Sequence, residues 1–488
     1  MLGAQDPVAA QLAQLRGLLR RAAGTRFGRD HGFDRISTAA DFQARVPIRS
    51  YEDFWRDYWS APFPDLTNRT WPGKPPYLAV SSGTTSGASK YLPVTADMMR
   101  ANKRAAMDIA VHHLAHHPKG RLLRGKTFML GGSTALRDQG HGVFSGDLSG
   151  IAVKDQSRWM RPFSFPPPEL ALLDDWEEKL NRVSRLSLDT RISMISGTPP
   201  WLLILFQRLH AMTGGAAPYP DLELLVHGGV AWDLYRDRLK PFLDQTRAAT
   251  REVYPASEGF IAIADRGDAE GLRLVLDNGL FFEFVPLSEL GTDRPTRHWI
   301  DTIQTDIDYA IILSSNSGMF AYQIGDTVRF VDRVPPRLLI TGRTSYMLSA
   351  FGEHLIGSEL DSAVQHAARL TGLSVNEYMV GAILPEGARS VGHHLYLVET
   401  TTPADADRAD AFARAVDARL QDMNEDYQAH RQNDTGMTLP VIRFLPPRSF
   451  DRWMAAQGKL GGQHKVPRVI NDMTKFTAIA TELSRPAS

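Results

Sequence analysis

The sequence predicts an α/β protein in which a large N-terminal domain with mixed sheets and flanking helices precedes a small α+β C-terminal domain. Helical and extended patterns alternate through most of the 488 residues, as is typical of sheets covered by helices. Short apolar runs have the length of buried strands, and several end in small or turn residues, where open α/β sheets bind ligands. These runs span residues 127–130, 222–226, 280–285, 311–313 and 328–331.

A proline-containing segment at 332–336 (Asp-Arg-Val-Pro-Pro) is interpreted as the end of the large domain. We therefore expect one domain over 1–340 and a second, smaller domain over 341–488. The pattern beyond this point predicts a helix near 357–370, a strand near 393–399 and a charged helix near 404–421.

Two patterns near the N-terminus predict helices. Leu12, Leu15, Leu18 and Leu19 share one face of an amphipathic helix. Further on, the residues from Ser50 to Asp53 have the spacing of a capped helix start.

The composition excludes several classes of function. Lys+Arg and Asp+Glu both number 55, so there is no overall basic field to attract nucleic acid or an anionic membrane, and we expect neither as a partner. Cysteine is absent, which excludes disulfides, thiolate nucleophiles and Cys-zinc sites and is compatible with a cytoplasmic location. No apolar stretch reaches the ~18 residues of a membrane span.

The strongest local signal is the run Ser81-Ser82-Gly83-Thr84-Thr85-Ser86-Gly87-Ala88-Ser89-Lys90. Backbone N–H groups and hydroxyls of such a loop can close around phosphate oxygens, and a lysine at its end adds positive charge. It is not a Walker A loop, because no Gly-Lys-Ser/Thr follows the second glycine. Taken alone, a polar surface turn explains the run equally well.

Two further clusters have nucleotide chemistry. Tyr254-Pro255-Ala256-Ser257-Glu258-Gly259 combines an aromatic ring, which can stack on a purine, with a carboxylate that can hold Mg²⁺. Tyr322-Gln323-Ile324-Gly325-Asp326 places a carboxylate before the strand at 328–331, where it could accept hydrogen bonds from ribose hydroxyls. Each cluster alone is more simply read as an ordinary loop.

The order of these motifs resembles that of the adenylate-forming superfamily, which includes acyl-CoA synthetases, peptide-synthetase adenylation domains and luciferases. The run from Gly342-Arg343 to Gly352 resembles the interdomain motif of that superfamily. Lys465-Val466-Pro467-Arg468 resembles its lysine signature. The resemblance implies that the C-terminal domain is a lid that rotates between half-reactions.

Within the superfamily, the chain resembles the Gretchen Hagen-three, or auxin-responsive promoter, family of acyl-acid amido synthetases, in a bacterial-type form. The three clusters above, the strand at 282–286 and the stretches at 25–33 and 458–468 carry this resemblance, which runs essentially end to end. Gln323 departs from it, since the family usually has Arg there. Ser345 departs from it too, because the superfamily has an acidic hinge residue at that place.

The resemblance implies a reaction in which ATP and a small carboxylic acid give an acyl-adenylate, and an amine or amino acid then takes the acyl group. It implies that Tyr254 stacks on adenine, Ser257 touches the α-phosphate, Glu258 positions Mg²⁺ and Asp326 binds the ribose. Lys465 would stabilise the pentacoordinate phosphorus; Lys459 is the alternative lysine.

The remaining residues that the resemblance assigns to ATP lie in the loop, at the end of the strand near 222–226 and in the interdomain motif. They are Ser82, Gly83, Thr84, Thr85, Ser86, Gly87, Lys90, Gly228, Gly229 and Arg343.

Alternatives remain open at this stage. An acyl-CoA synthetase or a stand-alone acyl-AMP ligase would share the first half-reaction. An inactive nucleotide-binding scaffold would be expected to lack the metal carboxylate or the lysine, which are present here as Glu258 and Lys465. His112, His113, His116 and His117 have zinc-compatible helical spacing, but a packing or solvated role is favoured.

Overall fold

A computed structural model describes residues 5–484 except for several short segments, and the chain divides into two compact units. The first unit ends at Thr344 and the second begins at residue 345. The segments outside the description are 82–89, 132–135, 174, 230–231, 233–234, 267–269, 345–346, 349, 354, 385–390, 402–404, 435 and 457–465. The observed mixture of a large N-terminal and a smaller C-terminal α/β domain confirms the predicted fold class.

Helices of the first unit surround its sheets. They are α1 (Pro7–Ala22), α2 (Arg26–Asp30), α3 (Ala39–Arg45), α4 (Tyr51–Phe54), α5 (Ala96–His116), α6 (Leu148–Lys154), α7 (Pro168–Ala171), α8 (Trp176–Leu188), α9 (Pro199–Met212) and α10 (Arg236–Leu243). The first helix is amphipathic as predicted, with Leu15, Leu18 and Leu19 buried. Ser50 caps α4 through a capping box with Asp53, which confirms the second predicted helix start.

The strands of the first unit form two sheets. They are β1 (Tyr77–Ser81), β2 (Lys90–Val94), β3 (Lys126–Met129), β4 (Arg137–Asp138), β5 (Phe144–Gly146), β6 (Ser164–Phe165), β7 (Ile192–Gly197), β8 (Leu224–His227), β9 (Ala249–Ala256), β10 (Gly259–Ile263), β11 (Leu272–Leu274), β12 (Leu280–Pro286), β13 (His298–Trp299), β14 (Asp308–Ser315), β15 (Tyr322–Arg333) and β16 (Pro336–Arg343). The smaller sheet has the order β2-β1-β5-β4, and the larger has the order β13-β12-β14-β15-β16-β11-β10-β9-β8-β7-β3-β6.

The larger sheet changes character at β9. From β6 to β9 neighbouring strands run parallel, and the helices α8, α9 and α10 lie along the chain between them. From β9 onward the strands pair antiparallel, beginning with the β9–β10 hairpin. Burial along its whole length explains why the parallel strand β8 reads as a short apolar run in the sequence, whereas in β3 only Phe128 is buried.

Two sequence predictions about β15 need correction. The strand begins at Tyr322 rather than at residue 328, so Asp326 lies within the strand and not before it. The segment 332–336 is not a domain end, because it is the hairpin that joins β15 to β16 in the same sheet. Backbone pairing with β14 and β16 extends the strand through polar residues that an apolar pattern does not mark.

A buried ion pair ties α3 to β12 in the first unit. Glu283 on β12 is fully buried and accepts two hydrogen bonds from the Arg297 guanidinium, at 2.9 and 2.7 Å. Arg297 also donates to the carbonyls of Gln43 and Val46 at the end of α3. The polar position in the apolar run 282–286 is therefore explained by an internal partner.

The second unit is a four-stranded mixed sheet with helices on both faces. Its helices are α11 (Gly357–Thr371), α12 (Ala406–Met423), α13 (Glu425–Arg431), α14 (Ser449–Ala456) and α15 (Met473–Leu483), and its strands are β17 (Met347–Leu348), β18 (Leu355–Ile356), β19 (Val375–Ile383), β20 (His393–Thr400), β21 (Val441–Leu445) and β22 (Val469–Ile470). The sheet order is β21-β20-β19-β22, and β17 pairs with β18 in a separate hairpin. Alternate residues of β20 point into two cores, Tyr396 and Val398 into one and Leu395 and Leu397 into the other.

Within the described part of the chain, every helix is too short or too polar to cross a lipid bilayer.

Candidate functional site

The chain passes close to β9 where β8 ends. Gly228 follows β8, and a Cβ atom at this position would lie 2.3 Å from the carbonyl oxygen of Val253. Only glycine fits such an approach to backbone, and the next residue, Gly229, has a φ of +86°. The turn lies at the carboxyl edge of the parallel strands, beside the first antiparallel pair, where α/β sheets bind ligands.

A flat aromatic pair adjoins this turn. The His227 ring stacks on the Trp232 indole with centroids 3.8 Å apart and an interplanar angle of 16°. Both side chains are buried. The stack holds the end of β8 against the chain that follows the glycine turn.

Tyr254 and Asp326 lie in contact although they belong to different motifs. The Tyr254 hydroxyl on β9 donates a hydrogen bond to the Asp326 carboxylate on β15. Both residues are buried, with 6% and 7% of their surface exposed, so the hydrogen bond is shielded from water. Two of the three sequence clusters therefore meet in one place.

Ser257 and Glu258 form the turn of the β9–β10 hairpin. Glu258 is buried, and burial together with the charge of Glu258 raises the pKa of Tyr322 well above its usual value. This electrostatic contact joins the second and third clusters again. A buried carboxylate in a turn supplies the hard oxygen donors that Mg²⁺ prefers, so the residue fits the metal that the sequence predicts there.

The end of the hydroxyl-rich loop is fixed by a hairpin and a tyrosine. Ser81 and Lys90 are paired across β1 and β2, and the Lys90 ammonium lies 5.6 Å from the centre of the Tyr51 ring. The Tyr51 hydroxyl accepts a hydrogen bond from the Tyr91 N–H at 2.9 Å. Burial raises the pKa of Tyr51 to about 12, so it remains neutral at physiological pH.

Tyr51 was not among the predicted site residues. The capping pattern of α4 predicted the helix start, but the contact of its first residue with β2 depends on tertiary packing. The aromatic residue directly after the cap Ser50 was the one available signal.

The interdomain motif begins on the strand next to Asp326. Arg343 is the register partner of Asp326, and the Thr344 N–H donates to the Gly325 carbonyl at 2.7 Å. Gly325 has a φ of +97°, which favours glycine in this motif. The backbone of Arg343 therefore runs beside the third cluster, and its side chain lies outside the description.

The motif continues into the second unit, where a buried acid orders it. Glu353 accepts hydrogen bonds from the Ala350 and Phe351 N–H groups at 3.2 and 2.7 Å. The His394 ring nitrogen Nε2 lies 2.8 Å from the same carboxylate. Burial alone would raise the pKa of Glu353, but the hydrogen bond and charge of His394 outweigh it and lower the pKa.

Several predicted site residues lie outside the described residues. They are Ser82, Gly83, Thr84, Thr85, Ser86, Gly87, Lys459 and Lys465. Their assigned roles stay predictions from the sequence.

The fold is shared with solved structures of an acyl acid amido synthetase and of a CoA ligase. AtGH3.15 acyl acid amido synthetase in complex with 2,4-DB superposes with a TM-score of 0.60 at 15% identity, covering 99% of this chain and 95% of that chain. 2-Hydroxyisobutyryl-CoA ligase in complex with 2-HIB-AMP and CoA has a TM-score of 0.60 at 16% identity, covering 97% and 91%. At these identities the likeness establishes a shared fold.

The chain belongs to the GH3 family, as its motifs predicted. It matches the GH3 family N-terminal domain over residues 3–213, the central domain over 273–343 and the C-terminal domain over 358–474. The indole-3-acetic acid-amido synthetase GH3.8 of Oryza sativa subsp. indica is 26% identical over 235 residues, which is 45% of this chain. That match spans 38% of the length of the rice protein.

Proposed function

We propose that this protein is an ATP-dependent acyl acid amido synthetase. It activates a small carboxylic acid as its acyl-adenylate and transfers the acyl group to an amine or amino acid. Membership of the GH3 family supports the reaction class. The observation that carries the nucleotide site is the hydrogen bond between Tyr254 and Asp326, residues 72 positions apart.

The adenosine half of ATP is assigned to this pair and to the glycine turn. The adenine base and its ribose are covalently joined. A residue that stacks on the base and a carboxylate that binds the ribose hydroxyls must therefore also lie close together. Tyr254 and Asp326 meet that condition. Gly228 and Gly229 follow β8, which pairs in parallel with β9, the strand that carries Tyr254.

The phosphates are assigned to the hydroxyl-rich loop and its flanks. Lys90 and the loop residues from Ser82 to Gly87 would hold the β- and γ-phosphates, Ser257 the α-phosphate, and Arg343 would reach the nucleotide from the interdomain motif. We assign Mg²⁺ to Glu258; when bound, the ion supplies neutralisation of phosphate charge.

In the first half-reaction a carboxylate oxygen of the acid attacks the α-phosphorus in line, and the bond to pyrophosphate breaks. Two anions approach each other in this step, so positive charge at the phosphorus lowers the barrier, and we assign that charge to Lys465. In the second half-reaction the neutral amine nitrogen bonds to the acyl carbonyl carbon, AMP leaves, and the nitrogen loses a proton to form the amide.

We assign the two half-reactions and their residues to two domains. Residues 1–340 would bind ATP and the acid, and residues 341–488 would form the lid that carries Lys465 and rotates between the two half-reactions. The absence of cysteine suits a reducing compartment, and we place the enzyme in the cytoplasm.

Acid-dependent ATP–pyrophosphate exchange tests the first half-reaction. A screen of aliphatic, aromatic and amino acids should identify acids that support exchange. With the best acid, Lys465→Ala should lower the exchange rate by at least about 100-fold while ATP binding changes little, because the lysine acts mainly in the transition state. Lys459→Ala is the matched control, and undiminished exchange in Lys465→Ala would transfer the role to Lys459 or Lys90.

Product identity tests the second half-reaction. A CoA ligase is the alternative, and the equal TM-score of 0.60 for 2-hydroxyisobutyryl-CoA ligase and AtGH3.15 keeps it in consideration. The acid that supports exchange should be offered with amino acids, hydroxylamine and CoA, and the products weighed by mass spectrometry. An amide with an amino acid supports the proposal, whereas a CoA thioester without any amide contradicts it.

A further inference from the structure

The start of α4 touches two strands that carry parts of the candidate nucleotide site. Just before it, Arg49 bonds through its N–H and its carbonyl to the main chain on either side of Tyr322, each at 2.9 Å. Two residues later, the Tyr51 hydroxyl accepts a hydrogen bond from the Tyr91 N–H on β2 at 2.9 Å. The helix start therefore bridges the third cluster and the strand that begins with Lys90.

The hydrogen bond from Tyr91 lies at the edge of a sheet. In the smaller sheet β2 is an edge strand, and an edge strand has main-chain groups that no neighbouring strand pairs. Tyr91 is the register partner of Val80 on β1, and the Tyr51 hydroxyl supplies an acceptor for its N–H. Tyr51 is only 5% exposed, so the hydrogen bond is partly shielded from water. Tyr51 thus anchors the main chain of β2 at the residue next to Lys90.

Neighbouring aromatic side chains fix the orientation of the Tyr51 ring. It stacks on Trp55 with centroids 6.0 Å apart, and its centroid lies 5.9 Å from that of the fully buried Trp59. Trp55 also stacks on Tyr91, with centroids 6.5 Å apart. Because Tyr51 is the first residue of a helix with a capping box, its main chain is fixed as well. The ring is therefore a firmly held surface beside β2.

The Lys90 ammonium lies over this surface, 5.6 Å from the centre of the Tyr51 ring. An aromatic face attracts a cation through its quadrupole and does not neutralise its charge, as a carboxylate would. Such a contact restricts a side chain that is otherwise long and flexible. Tyr51 is thus suited to direct the positive charge of Lys90 without cancelling it.

We propose that Tyr51 is a positioning residue for Lys90, in which the ring orients the ammonium and the hydroxyl holds the main chain of β2. This inference rests on the proposed function, which assigns Lys90 to the β- and γ-phosphates of ATP. Tyr51 itself touches no nucleotide in this scheme. Because AMP lacks both of these phosphates, its binding should not depend on Tyr51, whereas that of ATP should.

Calorimetric titration with ATP and with AMP separates positioning from a general loss of structure. Tyr51→Leu should raise the Kd for ATP about 3- to 10-fold, the size of a partly buried cation–π contact, and leave the Kd for AMP within about 2-fold of the wild type. Tyr51→Phe keeps the ring and should fall between the wild type and Tyr51→Leu. Tyr58→Leu removes an equally buried tyrosine seven residues on and should change neither Kd. An equal loss of affinity for ATP and AMP, or an unchanged Kd for ATP, would overturn the proposal.

Lys90→Ala distinguishes failure of this inference from failure of the proposed function. It should weaken the binding of ATP and not of AMP, and adding Tyr51→Leu to it should cause little further loss, because the positioned residue is already absent. Independent, multiplicative losses would contradict the proposal. Loss of ATP affinity in Lys90→Ala but not in Tyr51→Leu would overturn this inference alone. Unchanged ATP affinity in Lys90→Ala would overturn the phosphate assignment of Lys90 in the proposed function, and this inference with it.

Hydrogen exchange followed by mass spectrometry tests the anchoring of β2 without any nucleotide. A peptide that includes β2 (Lys90–Val94) should exchange faster in Tyr51→Phe than in the wild type, because the Tyr91 N–H loses its acceptor. The same peptide should be unchanged in Tyr58→Leu. Unchanged exchange in Tyr51→Phe would refute the anchoring whatever the nucleotide affinities are.

Discussion

Tyr254 combines two possible contributions to nucleotide binding, and substitution at this residue can separate them. Its hydroxyl orients Asp326, and its ring is assigned to adenine. Tyr254→Phe removes only the hydroxyl and should raise the Kd for ATP about 5- to 10-fold, the size of a typical lost hydrogen bond. Tyr254→Ala also removes the ring and should cost a further ~1–3 kcal/mol of binding.

Isothermal titration calorimetry with ATP would measure both effects, with Tyr77→Phe on β1 as a control for the loss of a phenol. Equal affinities of the Phe and Ala variants would show that the ring contributes nothing. Unchanged affinity in both would remove Tyr254 from the nucleotide site.

The sequence indicated which residue types belong to this candidate site, but it did not indicate the tertiary contacts between them. Tyr254, Glu258 and Asp326 were recognisable because their chemistry and order match a nucleotide site, even though each was unremarkable alone. Tyr51 was missed, because its contact with Lys90 joins positions 39 apart through the packing of α4 on β2. Such contacts depend on the fold and leave no local pattern.

At the level of elements, α5 couples stability to pH. His113 on this helix is buried, and its pKa is lowered to about 4, chiefly by burial and then by the charges of His117 and Arg251. The unfolded chain binds this proton near pH 6.5. The contribution of neutral His113 to the free energy of unfolding is therefore fully present above pH 6.5 and is lost as the pH falls from about 6.5 to 4. His113 thus packs as a neutral aromatic residue, stacked on His117 with centroids 4.6 Å apart.

His113→Gln should therefore reduce the loss of stability between pH 7.5 and pH 5 by about 1–3 kcal/mol relative to the wild type. Urea unfolding followed by tryptophan fluorescence measures this in the first unit, because Trp453 is the only tryptophan beyond residue 344. His116→Gln, an exposed position on the same helix, is the control. If the free energy of unfolding of His113→Gln changed with pH as it does in the wild type, His113 would not be the group that makes stability depend on pH.

The existence of elements followed from apolar runs, but their ends did not. The runs at 280–285 and 311–313 lie within β12 and β14, because both strands are buried along their length. The run at 328–331 marked only the middle of β15, since Gln323 and Asp326 interrupt the apolar pattern. Neighbouring strands satisfy the backbone there whatever the side chains are, so the strand continues into the site.

For the whole molecule, the division into two units restricts where a nucleotide can stabilise the chain. Tyr254 and Asp326 both belong to the first unit. AMP at 100 times its Kd should stabilise the unit that binds it by about 2.7 kcal/mol, which slows globally exchanging amides by roughly 100-fold. The boundary that we predicted at 340 also places Tyr254 and Asp326 in the first domain. The segment that suggested this boundary, 332–336, is a hairpin within the sheet and not the end of a domain.

Hydrogen exchange with and without AMP tests this division. Peptides from β14 (Asp308–Ser315) should gain protection, while those from β20 (His393–Thr400) should change little. Asp326→Asn should reduce the gain, because the amide has one acceptor oxygen where the carboxylate would offer two to the ribose hydroxyls. Asp308→Asn is the matched control, since Asp308 lies on the adjacent strand and pairs with the exposed Arg329. Equal protection of both units, or full protection in Asp326→Asn, would contradict an adenosine site confined to the first unit.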